Sequence, residues 1–563
     1  MTARSIVAGI DVGNSTTEVV LVDAHTREPL AWDRAPTRGV KGSSQSLDTA
    51  AGLLNRVMRR SGHVVDQVSV APLHPVRTAA VVIPDTVRPT GRLRAGPGGS
   101  DTVGVAGVGF GTPCSLDGDP PRDVDVVALV PGRFGYAAAA RGVNGWLADG
   151  VSVVAVVCAD DEAVLVSNRL DTPIPVVDRM NVLDLGPGRV ERLAVEVARL
   201  GQPLTRITDP LWLVSCLRLG DGERGDAVSA AGRLVDSRAG VVAVSRADPG
   251  AEPQEPEPQS WVEWANGRRS SFRDAHPRLR RGPPGEALAY WVAGDDRSPH
   301  PVADLVTLRL ADVGGAAMSR QGSVADQAYV LSSLGRRSPV SDPAPELAQR
   351  TGLRVVATID EADAARRGAL TTPGAPASAA VLDLGGGTID LVVGGSSVIG
   401  AGAGELLTVS VAELLGIPRG AAEWAKRGPG LHVDSPHVVV AEDGSRSFAH
   451  LPPPPDALGS VVVSGPVGWL VVSSRLSGSE WRALRLTVKH EVLGGGVRRL
   501  LAAGLDLPSA LVVVGGPAGD DETVRVLGDV LAAGMAVGRG AVAGVLGHRH
   551  AVAHGLALAA IDG

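Results

Sequence analysis

The chain has 563 residues, more than one hydrophobic core can organise, so several domains are expected. Hydrophobic residues make up 44% and aromatic residues only 3%, so cores must be built from Val, Leu, Ile and Ala. A net charge of −7 argues against a general grip on nucleic acid, and Cys114, Cys158 and Cys216 stand too far apart for a CxxC zinc site or a disulfide framework; they read as buried thiols.

In chain order, residues 6–10 and 18–22 read as β-rich runs on either side of Asp11-Val-Gly-Asn-Ser-Thr-Thr17, a strand, Gly turn, strand unit. Asp11 interrupts the first apolar run, so no secretion signal is expected. No uncharged apolar stretch reaches the roughly 18 residues that span a bilayer, and a cytoplasmic protein without membrane contact is expected. Leu47, Ala51, Leu54 and Met58 share one face of a helix over 46–60. The Gly-rich stretch 88–112 reads as a domain crossing. Strands at 126–130, 151–157, 163–166 and 241–244 then suggest a second α/β domain. Residues 247–301 are the least regular, and 249–258, with Glu252, Glu255 and Glu257, read as an exposed linker. A second strand, Gly turn, strand unit starts at 379. Residues 426–475, with Pro452-Pro-Pro-Pro455, read as an insertion. After helical residues 482–492 comes Gly494-Gly-Gly496, which suits a loosened helix or a turn. The end alternates strand, Gly turn and helix.

The segments Gly9-Ile-Asp-Val-Gly-Asn-Ser-Thr-Thr17 and Leu382-Asp-Leu-Gly-Gly-Gly-Thr-Ile-Asp390 echo one another. In each, an Asp ends an apolar strand and glycines and hydroxyl residues follow. Glycine lets backbone N–H groups approach phosphate oxygens, and Asp11 and Asp383 can face a hydrated Mg²⁺. Neither segment is a Walker loop, because GxxxxGK[ST] is absent. Neither is a Rossmann fingerprint, because each Gly run leads into a strand. A duplicated fold would set both hairpins across one cleft.

The pair resembles the two phosphate motifs of the actin, sugar kinase and heat-shock-chaperone superfamily. Further stations follow in the family's order: Asp360-Glu361-Ala-Asp-Ala-Ala365 resembles the connecting helix, Ala422-Glu423-Trp-Ala-Lys426 the ribose stretch, and Val512-Val-Val-Gly515-Gly516 the adenosine motif. The resemblance implies an actin-like (ribonuclease H-like, duplicated) ATPase fold of class α/β that binds ATP or ADP with Mg²⁺. It assigns Asp11 and Asp383 to the Mg²⁺ water shell and Glu361, helped by Asp383, to the hydrolytic water. Phosphate contacts fall to Gly13, Asn14, Ser15, Thr16, Thr17, Gly385, Gly386, Gly387 and Thr388. Gly402 and Gly404 join the nucleotide-binding set, and Glu423, Lys426, Gly515 and Gly516 hold the nucleoside. From the residues alone, Glu423 and Lys426 could also pair on a helix surface. Lys41 is a candidate for the chaperones' catalytic lysine or a plain loop lysine.

Within the superfamily, several stretches resemble the large subunit of diol and glycerol dehydratase reactivating factors: 8–18, Gly39-Val-Lys-Gly42, Val164-Leu-Val-Ser-Asn-Arg-Leu170 with Pro173-Ile-Pro-Val-Val-Asp178, Gly368-Ala-Leu-Thr-Thr-Pro-Gly374 and Ala401-Gly-Ala-Gly404. That likeness implies an ATPase that reactivates a cobalamin-dependent dehydratase by letting damaged cofactor leave through subunit exchange. A small reactivase subunit would be its partner in a hetero-oligomer. It also implies a Mg²⁺ or Ca²⁺ site at Asp161 and Asp178, where the family's further Thr ligand is replaced by Gly96. The expected division is an ATPase domain over 1–87, 336–425 and 476–563, a swivelling α/β domain over 88–246, a linker and connection over 247–335, and a small insert over 426–475. A sugar kinase or a cytoskeletal ATPase of the same fold stand as alternatives.

Overall fold

The computed structural model describes residues 5–74, 76–82, 92–97, 105–199, 204–220, 223–232, 234, 237–246, 260–292, 298–317, 328–336, 342–357, 359–531 and 534–563. Two compact units emerge. One comprises Met1–Ile83, Pro258–Ala317 and Gln327–Gly563; the other comprises Pro84–Glu257 and Met318–Asp326.

The first unit contains two five-stranded sheets of one topology. In the first, Ile6–Val12, Thr16–Asp23 and Pro29–Pro36 form an antiparallel meander. Gln67–Val70 then joins parallel to Ile6–Val12, and Arg354–Ala357 joins parallel to Gln67–Val70. In the second, Ala380–Leu384, Thr388–Val393 and Ser396–Ala401 form the meander, and Ala510–Gly515 and Ala536–Arg539 add the parallel strands. Strands buried on both faces read as continuous Val, Leu and Ile runs, which is what 6–12 and 380–384 contain. Helices Glu361–Ala369 and Ala551–Asp562 cross closely because glycines remove the side chain at the contacts. A methyl group on Gly368 would overlap the Ala551 carbonyl, and one on Gly555 the Ala364 carbonyl.

Residues 260–335 differ from the expected linker. Among the described residues, Trp261–Trp264, Arg269–Ser271, Ala287–Trp291, His300–Arg309 and Ala328–Gly335 join Val76–Val82 in a six-stranded sheet covered by helix Phe272–Arg281. Its core holds Trp264, Phe272, Tyr290 and Tyr329, so a chain poor in aromatics concentrates them here. The expected exposed stretch 249–258 lies outside the described residues. Strand Arg354–Ala357, in the second stretch of the expected ATPase domain, completes the first sheet. Residues 431–473 form a separate antiparallel sheet.

The second unit is a seven-stranded mixed sheet. Val176–Val177, Val153–Cys158, Val126–Val130 and Gly107–Ser115 run parallel, and Val190–Val197, Ala239–Ser245 and Leu93–Pro97 extend it antiparallel. The expected strand at 163–166 is a short helix, Ala163–Ser167, whose first N–H donates to Asp178 Oδ2 at 3.3 Å. A four-residue apolar run carries no period that separates strand from helix, and the buried carboxylate at the helix start decides it. Cys114 and Cys158 are buried, and all three cysteines are free.

Candidate functional site

Both hairpins close identically. The Gly13 N–H donates to Thr16 O at 3.1 Å, and the Gly385 N–H to Thr388 O at 2.9 Å. Each Asp sits at the last ladder rungs, with Asp11 opposite Glu18 and Asp383 opposite Asp390. The two turns meet. A methyl group on Gly386 would approach Ser15 Oγ to 2.5 Å, and one on Gly387 would overlap the Asn14 amide. Any larger residue at 387 would have to displace Asn14 and Val76, and one at 386 would have to move the Ser15 hydroxyl.

Around this contact lies a buried charge cluster. Lys41, 8% exposed, donates from Nζ to Glu361 Oε2 at 2.7 Å, and Asp11, Asp383 and Asp390 lie within electrostatic reach of one or both. Burial and then the Glu361 charge push Asp11 and Asp390 well above the ordinary carboxylate range. Burial, Glu361 and Glu18 push Asp383 to about 7. Burial alone would lower the Lys41 ammonium, but Glu361 and Asp11 outweigh it and leave it raised. One ammonium cannot balance four neighbouring carboxyls, so three of them hold their protons more tightly than usual; a hydrated divalent cation is the kind of charge that would let them ionise. Among the described residues no three His, Cys, Asp or Glu side chains converge as a metal cage, so such an ion would be held through water and phosphate.

The second turn is braced by helix Gly404–Leu415. Gly402, Gly404 and Glu405 N–H groups donate to the carbonyls of Gly387, Gly385 and Gly386 at 2.8, 3.2 and 2.7 Å. Across a trans peptide the C=O and N–H point oppositely, so the Gly386 and Gly387 amides point away from that helix. Gly515, at φ +90°, packs directly on Asp383: a side chain there would meet the Asp383 carboxylate and the Leu384 carbonyl. Gly516 lies against the Arg549 guanidinium, and Pro517 against Gly404. On helix Arg419–Ala425 and its C-terminal cap, Glu423 and Lys426 do pair, at 2.6 Å. They also share the Thr408 hydroxyl, and Lys426 Nζ donates to Gly404 O at 2.8 Å. The structure thus brings Asp11, Gly13, Asn14, Ser15, Thr16, Glu361, Asp383, Gly385–Gly387, Thr388, Gly402, Gly404, Glu423, Lys426, Gly515 and Gly516 into one connected region of the first unit.

Two assignments change. Thr17 is fully buried, and its hydroxyl bonds that of Thr37 at 2.9 Å, which in turn donates to Gly13 O; it shapes the turn rather than facing a ligand. The Gly385 amide is consumed closing its own turn, so it does not point at phosphate, and the Thr388 hydroxyl donates to Asp390 Oδ2 at 2.9 Å. Of the two readings of Lys41, candidate catalytic lysine or loop lysine, the structure puts it inside the cluster; Asp390 was not singled out, and Arg549, against Gly516, pairs with Glu18. Lys41 meets a partner 320 residues away, which no local pattern announces.

In the second unit, Asp161 and Asp178 lie in hydrogen-bond contact. Asp178 is buried, while exposed Asp161 pairs with Arg179 at 2.5 Å, a hydrogen bond that with the Arg179 charge holds it below the usual carboxylate range. Gly96 stands beside Met180. Two carboxylates with an arginine on one of them do not make a cation cage alone.

Two sheets of order 3-2-1-4-5, whose Asp–Gly hairpin turns meet, define the duplicated actin-like fold. Residues 307–560 match the family model "Diol dehydratase reactivase ATPase-like domain", and residues 96–248 match "DD-reactivating factor swiveling domain". The chain is 30% identical over 605 residues to the propanediol dehydratase-reactivating factor large subunit of Salmonella typhimurium, covering 98% of each. It is 29% identical over 604 residues to the diol dehydratase-reactivating factor large subunit of Klebsiella michiganensis, again covering 98% of each. The solved nucleotide-free diol dehydratase-reactivating factor is 27% identical, with TM-score 0.61 over 99% of this chain and 100% of that one. A glycerol dehydratase reactivase is 25% identical, with TM-score 0.60 over the same shares. The chain belongs to the family of dehydratase-reactivating factor large subunits.

Proposed function

We propose that this chain is the nucleotide-driven large subunit of a factor that reactivates an adenosylcobalamin-dependent diol or glycerol dehydratase. The observation that carries the reading is the contact of the two hairpin turns, Asn14 and Ser15 on Gly386 and Gly387, beside the cluster of buried Lys41, Asp383 and Asp390 with half-buried Asp11 and Glu361. Family membership supplies the client class and disfavours a sugar kinase or a cytoskeletal ATPase.

In this reading Gly386 and Gly387 amides and the Asn14, Ser15 and Thr16 side chains hold the phosphates of ATP or ADP. Glu423, Lys426, Gly515 and Gly516 shape the nucleoside side. A bound Mg²⁺ supplies charge neutralisation of the phosphates, with Asp11 and Asp383 holding its water shell. Glu361, oriented by the Lys41 ammonium, accepts the hydrogen bond of the attacking water and aligns it. Because the site is buried, the fixed charges are strong and the hydrolytic barrier falls mainly through positioning.

Hydrolysis then shifts the balance between arrangements that favour different partners: a small reactivase subunit in one, the dehydratase in another. Asp161 and Asp178 offer two oxygen ligands for Mg²⁺ or Ca²⁺ where the small subunit meets this chain. Arg179 must leave Asp161 and further donors must come from the partner.

The test mixes the purified chain, a small subunit and a dehydratase carrying damaged cobalamin. Cobalamin release that requires both Mg-ATP and the small subunit supports the reading. Tight nucleotide binding without any release of cobalamin overturns it.

A further inference from the structure

The chain crosses between its two units at 83–84, 257–258, 317–318 and 326–327. On the first unit's side the nearest elements are strand Val76–Val82, strand Trp261–Trp264, helix Leu310–Ala317 and strand Ala328–Gly335. The three strands belong to the six-stranded sheet, and the helix follows its strand His300–Arg309 directly. Along the sequence, this sheet is the part of the first unit next to the bounds of the second.

The sheet packs on the second phosphate turn and its bracing backbone through apolar side chains, Val76 at Gly387 and Val306 at Gly402, and it is hydrogen-bonded to that backbone through one buried carboxylate. Asp304, on strand His300–Arg309 next to its ladder irregularity, is 2% exposed. Its Oδ2 accepts the Ala401 N–H at 2.8 Å, and its Oδ1 accepts the Gly285 N–H at 3.2 Å. Ala401 ends the strand paired with Thr388, and the next residue, Gly402 at φ +90°, donates to Gly387 O. One carboxylate is therefore a single residue away from the backbone that braces the glycine turn.

The same carboxylate is gripped from the other side. Arg499, 2% exposed, donates to both Asp304 oxygens at 2.7 and 3.1 Å, and from Nε to Gly282 O at 3.1 Å. Its helix, Gly495–Leu501, continues from helix Gly478–Lys489 through a π-helical turn, His490–Gly494. One turn earlier on it, a methyl group on Gly496 would come within 2.5 Å of Ile389, the neighbour of Thr388. Gly496 thus makes room for the phosphate hairpin at Ile389, while Arg499 holds the sheet. A fork-to-carboxylate pair fixes direction as well as distance, so displacement of the 401–404 backbone is handed to the strand without slack.

We propose that the Asp304–Arg499 pair is the joint that passes occupancy of the nucleotide cleft from the 401–404 loop into the six-stranded sheet, with Asp304 as its positioning residue. The proposal rests on the nucleotide-binding reading above and adds the route by which that binding is felt. A surface ion pair could not do this, because water would let it break and reform freely.

Hydrogen exchange of the full chain, with and without saturating Mg-ADP, tests it, alongside direct measurement of ADP affinity. In the parent chain ADP slows exchange at 384–388, at 401–404 and in strands His300–Arg309 and Ala328–Gly335. In Asp304→Asn, ADP affinity stays within about threefold and the 384–388 response remains, while the response of the two strands falls by about fivefold or more. Arg499→Lys keeps the charge but not the fork, and it retains part of the strand response; it also serves if Asp304→Asn does not fold. Equal strand responses in parent and variants overturn the joint, as does ADP binding to the parent with no response at 300–309. If the parent binds no ADP, the nucleotide reading itself falls, and the affinity measurement separates that case from the others.

Discussion

The two phosphate hairpins share a sheet order and a closing hydrogen bond, yet their turns are built oppositely. The first presents side chains, Asn14, Ser15 and Thr16; the second presents bare backbone, Gly385 to Gly387, into the space those side chains leave. Duplication supplied two equivalent frames, and packing against each other forced them apart in composition. A cleft in which both turns carried side chains would close on itself, and one in which both were glycine would lose its hydroxyl donors.

The largest effect should come from filling that space. Gly387→Ala places a methyl group on Asn14 and Val76 and should weaken ADP binding by about 10- to 100-fold by calorimetry, while Gly395→Ala, which meets nothing within 4 Å, should not. Next, Glu361→Gln should slow ATP hydrolysis by about 100-fold with ADP affinity little changed, read by phosphate release. A binding loss of equal size would mean that Glu361 acts on the nucleotide and not on water.

A third effect concerns pH. The Asp383 carboxyl, raised to about 7 by burial first and then by Glu361 and Glu18, must ionise to face a cation. Mg-ADP affinity should therefore fall as pH drops through 7, by about tenfold between pH 8 and pH 6. The nucleotide-free fold runs the other way. Its raised carboxyl binds a proton that the unfolded chain has already lost, so this group's stability contribution is full below pH 4 and is lost as pH rises through 7. Melting curves with and without Mg-ADP should show opposite slopes there. The smallest effect belongs to Thr17→Val, which breaks a chain of hydroxyls behind the first turn. It should cost about 1 kcal/mol of stability by denaturant titration and change ADP affinity by less than about twofold.

The hairpins were legible because Asp, glycines and hydroxyl residues fall in a short local order. Helix 46–60 was legible because its apolar face repeats, and the structure places it at Ser44–Ser61. What local order cannot carry was missed. Lys41 stays undecided between a catalytic and a loop lysine until Glu361 arrives from 320 residues away, and Asp390 reads as one strand residue until burial raises its carboxyl. The six-stranded sheet was mistaken for a linker because its first strands, Trp261–Trp264 and Arg269–Ser271, are short and follow a Pro- and Glu-rich stretch. The alternation that makes them amphipathic, Trp261 to Trp264 for instance, spans only four residues. The helix at 163–167 fell to the same shortness of signal.

The first lobe's sheet takes its last strand, Arg354–Ala357, from almost three hundred residues beyond its neighbour Gln67–Val70. During synthesis the amino-terminal meander therefore emerges with an open strand edge and must wait until the whole second unit has left the ribosome. Translation speed across 84–257 sets the length of that exposure. A slow codon run there should raise aggregation of the nascent chain, without altering one contact of the finished molecule.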